Sequence, residues 1–143
     1  MKTIIIAEIG INHNGSITHA KRLIDAAAKA KADFAKFQTF IAKEHITKNS
    51  PKAEYAKSGL KDNLSMLESV KQWEFNEDQH RNLISYCEKK NIKFLSSPFD
   101  ISSINLLNKL KIGIIKIPSG EITNLPYLEK VGSLKKRVIL STG

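Results

Sequence analysis

Five short apolar runs recur along this chain, and each turns polar towards its C-terminal end. They fall at residues 4–9, 34–40, 93–97, 114–117 and 138–141, bounded by Gly, Pro, Asn or Asp, and their polar members are Glu8, Lys36, Ser97, Lys116 and Ser141. Between the runs, apolar residues return every three or four positions, as on one face of a helix. Ala20, Leu23, Ile24, Ala27 and Ala28 follow Ser16, and Leu83, Ile84 and Cys87 follow Asn76 and Gln79. Ile104, Leu107 and Leu110 follow Asp100, and Leu128 and Val131 follow Asn124. Ser16, Asp100 and Asn124 offer a side-chain oxygen to the first free amides of a helix, and Asn76 with Gln79 has the spacing of a reciprocal capping box. Pro126 is tolerated in the first turn of the last helix. Strand then helix, repeated, predicts an α/β fold of parallel strands joined by right-handed crossovers. Runs this rich in Ile, Val and Phe suit strands covered on both faces.

The rhythm breaks once, at a long polar excursion over residues 41–75. Insertions of this length after a strand are usually lids or binding loops, and Trp73 with Phe75 is expected to anchor this one. The chain also stops at Ser141-Thr142-Gly143, directly after the fifth run. A compact domain rarely ends on a freshly exposed strand, whose unpaired backbone invites association. The expectation is one domain over residues 1–143 that forms the first portion of a larger fold.

Composition narrows the function classes. At 41% hydrophobic and 26% charged, the chain reads as a globular domain with enough residues to bury a core. The formal charge of +9 could announce a nucleic-acid binder, but the lysines are scattered. No basic block or alternation of aromatic and basic residues appears. The charge is expected to favour anionic small molecules instead. Cys87 is the lone cysteine, which excludes an internal disulfide framework. The opening MKTIIIAEIG is too short an apolar run for a secretory signal and is broken by Glu8. No stretch approaches the ~20 apolar residues of a membrane span, and a cytoplasmic location is expected.

Ligands of parallel α/β folds bind at the carboxyl ends of the strands. Those ends read A-E-I-G-I-N-H-N-G, then Lys36, Gln38 and Phe40 on one face, then S-S-P-F-D, K-I-P-S-G-E and S-T-G. A lysine and a glutamine inside an apolar run are costly unless they meet partners or a ligand. Two lysines with Ser97, Ser119 and Ser141 at one rim suit a phosphate and a carboxylate: the ammonium supplies charge, and hydroxyls and loop amides supply directed donors. Glu8 could bond a sugar hydroxyl or assist proton transfer. Blander readings stand beside these. Lys36 and Lys116 could pair with Glu8 and Glu121 in buried salt bridges, and the serines could be caps or turn formers. His13 alone does not argue for a metal. His45 and His80 read as solvated, in a polar loop and an exposed helix turn, and Cys87 as core packing.

The strand-end motifs AEIGINHNGS, AKFQTF, FLSSPFD, IKIPSGEITNLPYLEK and ILSTG resemble, in order and across the whole chain, those of bacterial sialic acid (N-acetylneuraminate) synthases. The resemblance implies the first five βα units of a (β/α)₈ TIM barrel, truncated before the remaining strands and a C-terminal antifreeze-like domain. It implies condensation of phosphoenolpyruvate with N-acetylmannosamine, with release of phosphate. By matching motif, Lys36, Ser97, Lys116, Ser119 and Ser141 surround phosphoenolpyruvate, and Glu8 and Lys36 lie at the reacting centre. The third motif here reads S-S-P-F where relatives often have S-T-P-F, so the hydroxyl is kept and a methyl lost. The family's divalent metal (Mn or Mg) is held by histidines on later strands, and its full-length members are homodimers. Residues 1–143 alone are therefore expected to contribute no metal ligand and to lack synthase activity.

Three other readings remain. One is a synthase for legionaminic acid or another nonulosonic acid, although the K-I-P-S-G-E-I-T-N-L-P-Y-L-E-K run leans towards the N-acetylneuraminate type. Another is a non-catalytic, truncated subunit that binds phosphate ligands. The third, an open flavodoxin-like sheet binding a nucleotide, is opposed by the lack of a glycine-rich phosphate loop.

Overall fold

The computed structural model describes residues 3–47, 50 and 64–143. Among them the order is β1 (Ile6–Gly10), α1 (Ile17–Lys29), β2 (Phe34–Thr39), α2 (Ala42–His45), α3 (Met66–Lys71), α4 (Glu77–Lys89), β3 (Lys93–Pro98), α5 (Ile101–Lys109), β4 (Ile114–Ile117), a 3₁₀ turn (Ser119–Glu121), α6 (Leu125–Ser133) and β5 (Arg137–Leu140). β1, β2 and β3 form one parallel sheet, β4 and β5 a second parallel pair, and β3 lies against β4. The expected alternation of parallel strands and helices is therefore present.

The helix starts follow from side-chain chemistry. Ser16 accepts from the His19 amide, Asp100 from the Ser103 amide and Asn124 from the Tyr127 amide. Asn76 and Gln79 form the expected reciprocal capping box, and Ser65 with Glu68 forms another. Four helices end in a left-handed residue, Lys31, Asn91, Lys111 and Lys135, and the first three end alike. Each of these three is followed by an amide that reaches five residues back, Ala32 to Ala27, Ile92 to Cys87 and Ile112 to Leu107. This is the Schellman arrangement, and its apolar clasp buries both members of every pair. The same device returns the chain to the sheet after α1, α4 and α5.

The main core lies between sheet and helices. Ile9, Ala35, Phe37, Phe94, Ile115 and Ile117 pack there against Ile24, Leu83, Cys87, Ile104, Leu107 and Val131. Cys87 is fully buried, and desolvation pushes its thiol up to about 12. The Tyr127 hydroxyl donates to the Pro98 carbonyl at 2.9 Å, pinning α6 to the end of β3.

Some expectations move. Ile4 and Ile5 are exposed, and the Ile5 amide donates to the Asp33 carboxylate, so β1 starts later than its apolar run. Phe40 lies past the end of β2 and joins a second cluster with Ala42, Val70 and Trp73 instead of sharing the face of Lys36. Within the described part of the 41–75 excursion, α2 and α3 pack on each other through that cluster. Trp73 anchors there and Phe75 in the main core. The remainder of the excursion lies outside the described residues.

Candidate functional site

Strand alternation separates two faces. Odd positions of β2, such as Phe37, enter the core under the helices, while Lys36 and Gln38 face the other way. Lys36 stands opposite Glu8 on β1 and Leu95 on β3. It is 9% exposed, forms an ion pair with Glu8 and donates to Ser97 Oγ at 3.4 Å. A buried ammonium without partners would be costly. Here the Glu8 side chain, 55% exposed, sits at the solvent boundary and supplies the counter-charge.

Gly10 shapes the mouth of this pair. It has φ +56°, and the ladder skips a residue, so that Glu8 faces Lys36 but Gly10 faces Phe37. A Cβ on Gly10 would stand 3.4 Å from Glu8 Oε1 and 3.8 Å from Gln38 Nε2. Both side chains thus border Gly10. Gly15, at φ +75°, has no room at all, since a Cβ there would fall 2.0 Å from the Gln72 carbonyl oxygen. That contact presses the loop after β1 against the returning end of the excursion.

The second lysine repeats the pattern of the first. Lys116 stands opposite Ile139 on β5, and its Nζ donates to Ser141 Oγ at 2.6 Å and to the Ile117 carbonyl at 2.8 Å. Burial, followed by the positive charge of Lys36, pulls its pKa below the ordinary lysine value, with Glu8 opposing. The two ammonium groups therefore feel each other, and an incoming anion would relieve that repulsion. Ser119 opens the 3₁₀ turn after β4 and is exposed; a Cβ on Gly143 would lie 3.7 Å from its Cβ, so the loops after β4 and β5 touch. Glu8, Lys36 and Ser97 are brought together by direct contact, as are Lys116 and Ser141. The charges of Lys36 and Glu8 act on Lys116 and relate the second group to the first.

Half of the salt-bridge reading is present. Lys36 pairs with Glu8, but Glu121 accepts from the Asn124 side chain at 2.7 Å, and Lys116 has no carboxylate at ion-pair distance among the described residues.

The histidines need correction. His80, expected to be solvated, is 1% exposed, because it lies on the same stripe of α4 as Leu83 and Cys87. Its Nε2 is 2.9 Å from Thr39 Oγ1, and Thr39 Oγ1 is 2.7 Å from Ser96 Oγ. This buried trio was missed. The available signal was three polar residues at core-facing positions. His45 is exposed as expected, but on α2, with its ring 5.0 Å from that of Phe99. His13 is fully buried, stacked 4.2 Å from Phe75. Among the described residues no three His, Cys, Asp or Glu side chains converge on a metal-sized site. Nor is any helix among them long and apolar enough to cross a membrane.

A groove of about 850 Å³ opens at the opposite, N-terminal ends of the strands, between Phe34, Lys93, Ile114 and Arg137. In parallel α/β folds that end serves packing more than chemistry, and the polar constellation lies at the other end.

Comparison with known proteins gives this site a context. The model of the NeuB family matches residues 23–143. The chain is 51% identical to N,N'-diacetyllegionaminic acid synthase of Campylobacter jejuni over 99% of its length, and 43% identical to the protein of the same name from Legionella pneumophila over 100%. It spans 42% and 40% of those two curated relatives. Among solved structures, N-acetylneuraminic acid (sialic acid) synthetase of Leptospira borgpetersenii, crystallised with citrate, superposes with a TM-score of 0.83 at 35% identity. That match covers 99% of this chain and 45% of the other.

Proposed function

The chain belongs to the NeuB family, and from that premise we propose that its full-length protein is a nonulosonic acid synthase joining phosphoenolpyruvate to a six-carbon amino-sugar aldehyde. The observation that carries the reading is the paired Lys–Ser contact, Lys36 with Ser97 and Lys116 with Ser141, at the carboxyl ends of neighbouring parallel strands. Two ammonium groups with adjacent hydroxyls match the phosphate and carboxylate of phosphoenolpyruvate.

In this reading the enol carbon attacks the aldehyde carbon, forming the new C–C bond, while the aldehyde oxygen takes a proton. Water adds to the resulting oxocarbenium carbon. The bond from that carbon to the phosphate oxygen then breaks, releasing inorganic phosphate and leaving the 2-keto acid. Lys36 and Lys116 hold the anion, Ser97, Ser119 and Ser141 direct its oxygens, and Glu8 stands where a proton must be moved. The five strands represent the first βα units of a (β/α)₈ barrel. A divalent metal, Mn or Mg, bound outside residues 1–143, a homodimeric state and a cytoplasmic location belong to the same proposal.

The acceptor sugar favoured is the diacetamido-trideoxy hexose that would yield diacetyllegionaminic acid, because the 51% and 43% identical relatives carry that name. N-acetylmannosamine is the second reading, supported by the Leptospira neighbour at 35% identity. The test is to incubate the full-length protein with phosphoenolpyruvate and each sugar, following phosphate release and the mass of the acid formed. A higher kcat/KM with the diacetamido sugar supports the first reading, and a higher value with N-acetylmannosamine supports the second. Product from neither overturns the proposal.

A further inference from the structure

Side chains tie β2 to β3 on both faces, and the two ties lean in opposite directions. On the rim face Lys36, whose partner on β3 is Leu95, reaches two residues forward to Ser97. On the helix face Thr39, whose partner is Pro98, reaches two residues back to Ser96 at 2.7 Å. If β2 slid forward along β3, Lys36 would approach Ser97 while Thr39 withdrew from Ser96. Sliding back would do the reverse. The opposed diagonals therefore allow one relative height of the two strands.

His80 completes the lower tie. Its Nδ1 lies 2.8 Å from the Asn76 carbonyl oxygen, which can only accept, so Nδ1 carries a proton. In the neutral ring Nε2 must then accept from the Thr39 hydroxyl at 2.9 Å, and Thr39 in turn accepts from Ser96. The donors run one way, from Ser96 through Thr39 and His80 to Asn76, and Asn76 is fixed by its reciprocal cap with Gln79. Thr39, Ser96 and His80 are each 2% exposed or less. A buried network with every member satisfied specifies one arrangement, because any shift leaves a desolvated group unpaired.

We infer that Thr39, bonded to Ser96 on one side and to His80 on the other, is a positioning residue that holds β3 at the height where Ser97 meets Lys36. The inference rests on the phosphoenolpyruvate reading above and adds residues that touch no substrate.

The test is steady-state kinetics of the full-length protein for the wild type, Thr39→Val, Thr39→Ser, Ser97→Ala and the double variant Thr39→Val with Ser97→Ala. Valine keeps the shape and removes the hydroxyl; serine keeps the hydroxyl. Thr39→Val is expected to raise KM for phosphoenolpyruvate on the order of 10-fold with little change in kcat, as misplacement of a binding group does. Thr39→Ser should restore it. In the Ser97→Ala background Thr39→Val should add less than about twofold, because both changes act through one contact. If Thr39→Val does not fold, Ser96→Ala breaks the same chain at its outer end and should raise KM likewise. An unchanged KM in either folded variant, or a full multiplicative effect on top of Ser97→Ala, overturns the inference alone. A wild-type protein that does not use phosphoenolpyruvate overturns the functional reading, and the inference with it.

Discussion

Lys36 donates to Ser97, two positions beyond its own partner on the adjacent strand, Leu95. Lys116 repeats the step from its partner Ile139 to Ser141. One local device, used on two strand pairs, thus sets an ammonium and a hydroxyl side by side at the carboxyl ends of both sheets. The surroundings differ. Lys36 already has Glu8 as a counter-ion, whereas burial and the charge of Lys36 depress the Lys116 pKa. An anion arriving at the rim would stabilise the charged form of Lys116 and raise that pKa back.

Stability should fall in acid because of His13. Its Nδ1 accepts from the Gly15 amide at 3.0 Å, and its Nε2 has no partner among the described residues. Burial first, then the nearby His19 and His80, lower its pKa from 6.5 to about 4. Across that window the unfolded chain binds a proton that the folded chain refuses. The His13 contribution is therefore full above 6.5, is lost as pH falls, and stops changing below about 4, a loss of roughly 3 kcal/mol. Urea unfolding of wild type and His13→Gln across this window measures it. The wild-type stability should fall more steeply, by at most about 1.4 kcal/mol per pH unit; superimposable slopes contradict the assignment.

The helix ends offer a gain in stability. Lys111 holds φ +59° after α5, a conformation that costs an L side chain energy and glycine almost none. Lys111→Gly should stabilise the fold by about 0.5–1 kcal/mol, net of the larger unfolded-state entropy of glycine. Asn91→Gly should gain less, since asparagine tolerates this region. Thermal melting of both variants checks the order, and a lower melting temperature for Lys111→Gly would contradict it.

Much of this architecture is legible in the sequence. Ser16, Asn76, Asp100 and Asn124 announced helix starts because capping is local chemistry. Glu8, Lys36, Ser97, Lys116 and Ser141 stood out because a polar residue in a strand run is conspicuous. What escaped depended on tertiary partners. In the sequence His80 reads as solvated because it is polar, although its place on the Leu83 and Cys87 stripe points inward. Thr39 and Ser96 hide for the same reason: they are acceptable in the core because Ser96 donates to Thr39 and Thr39 to His80. The helix ends were obscured because lysine and asparagine occupy positions where glycine is the usual signal.

That Lys36 and Lys116 carry the anion is tested most directly by the kcat/KM for phosphoenolpyruvate of Lys36→Ala and Lys116→Ala in the full-length protein, measured beside their melting temperatures. Loss of a hydrogen bond to a charged group is worth about 1.5–3 kcal/mol, so kcat/KM should fall about 10- to 100-fold in each variant while the fold is retained. If both variants keep the wild-type kcat/KM and only melt at lower temperature, the two lysines are structural ion-pair and hydrogen-bond members, and the rim is not the phosphoenolpyruvate site.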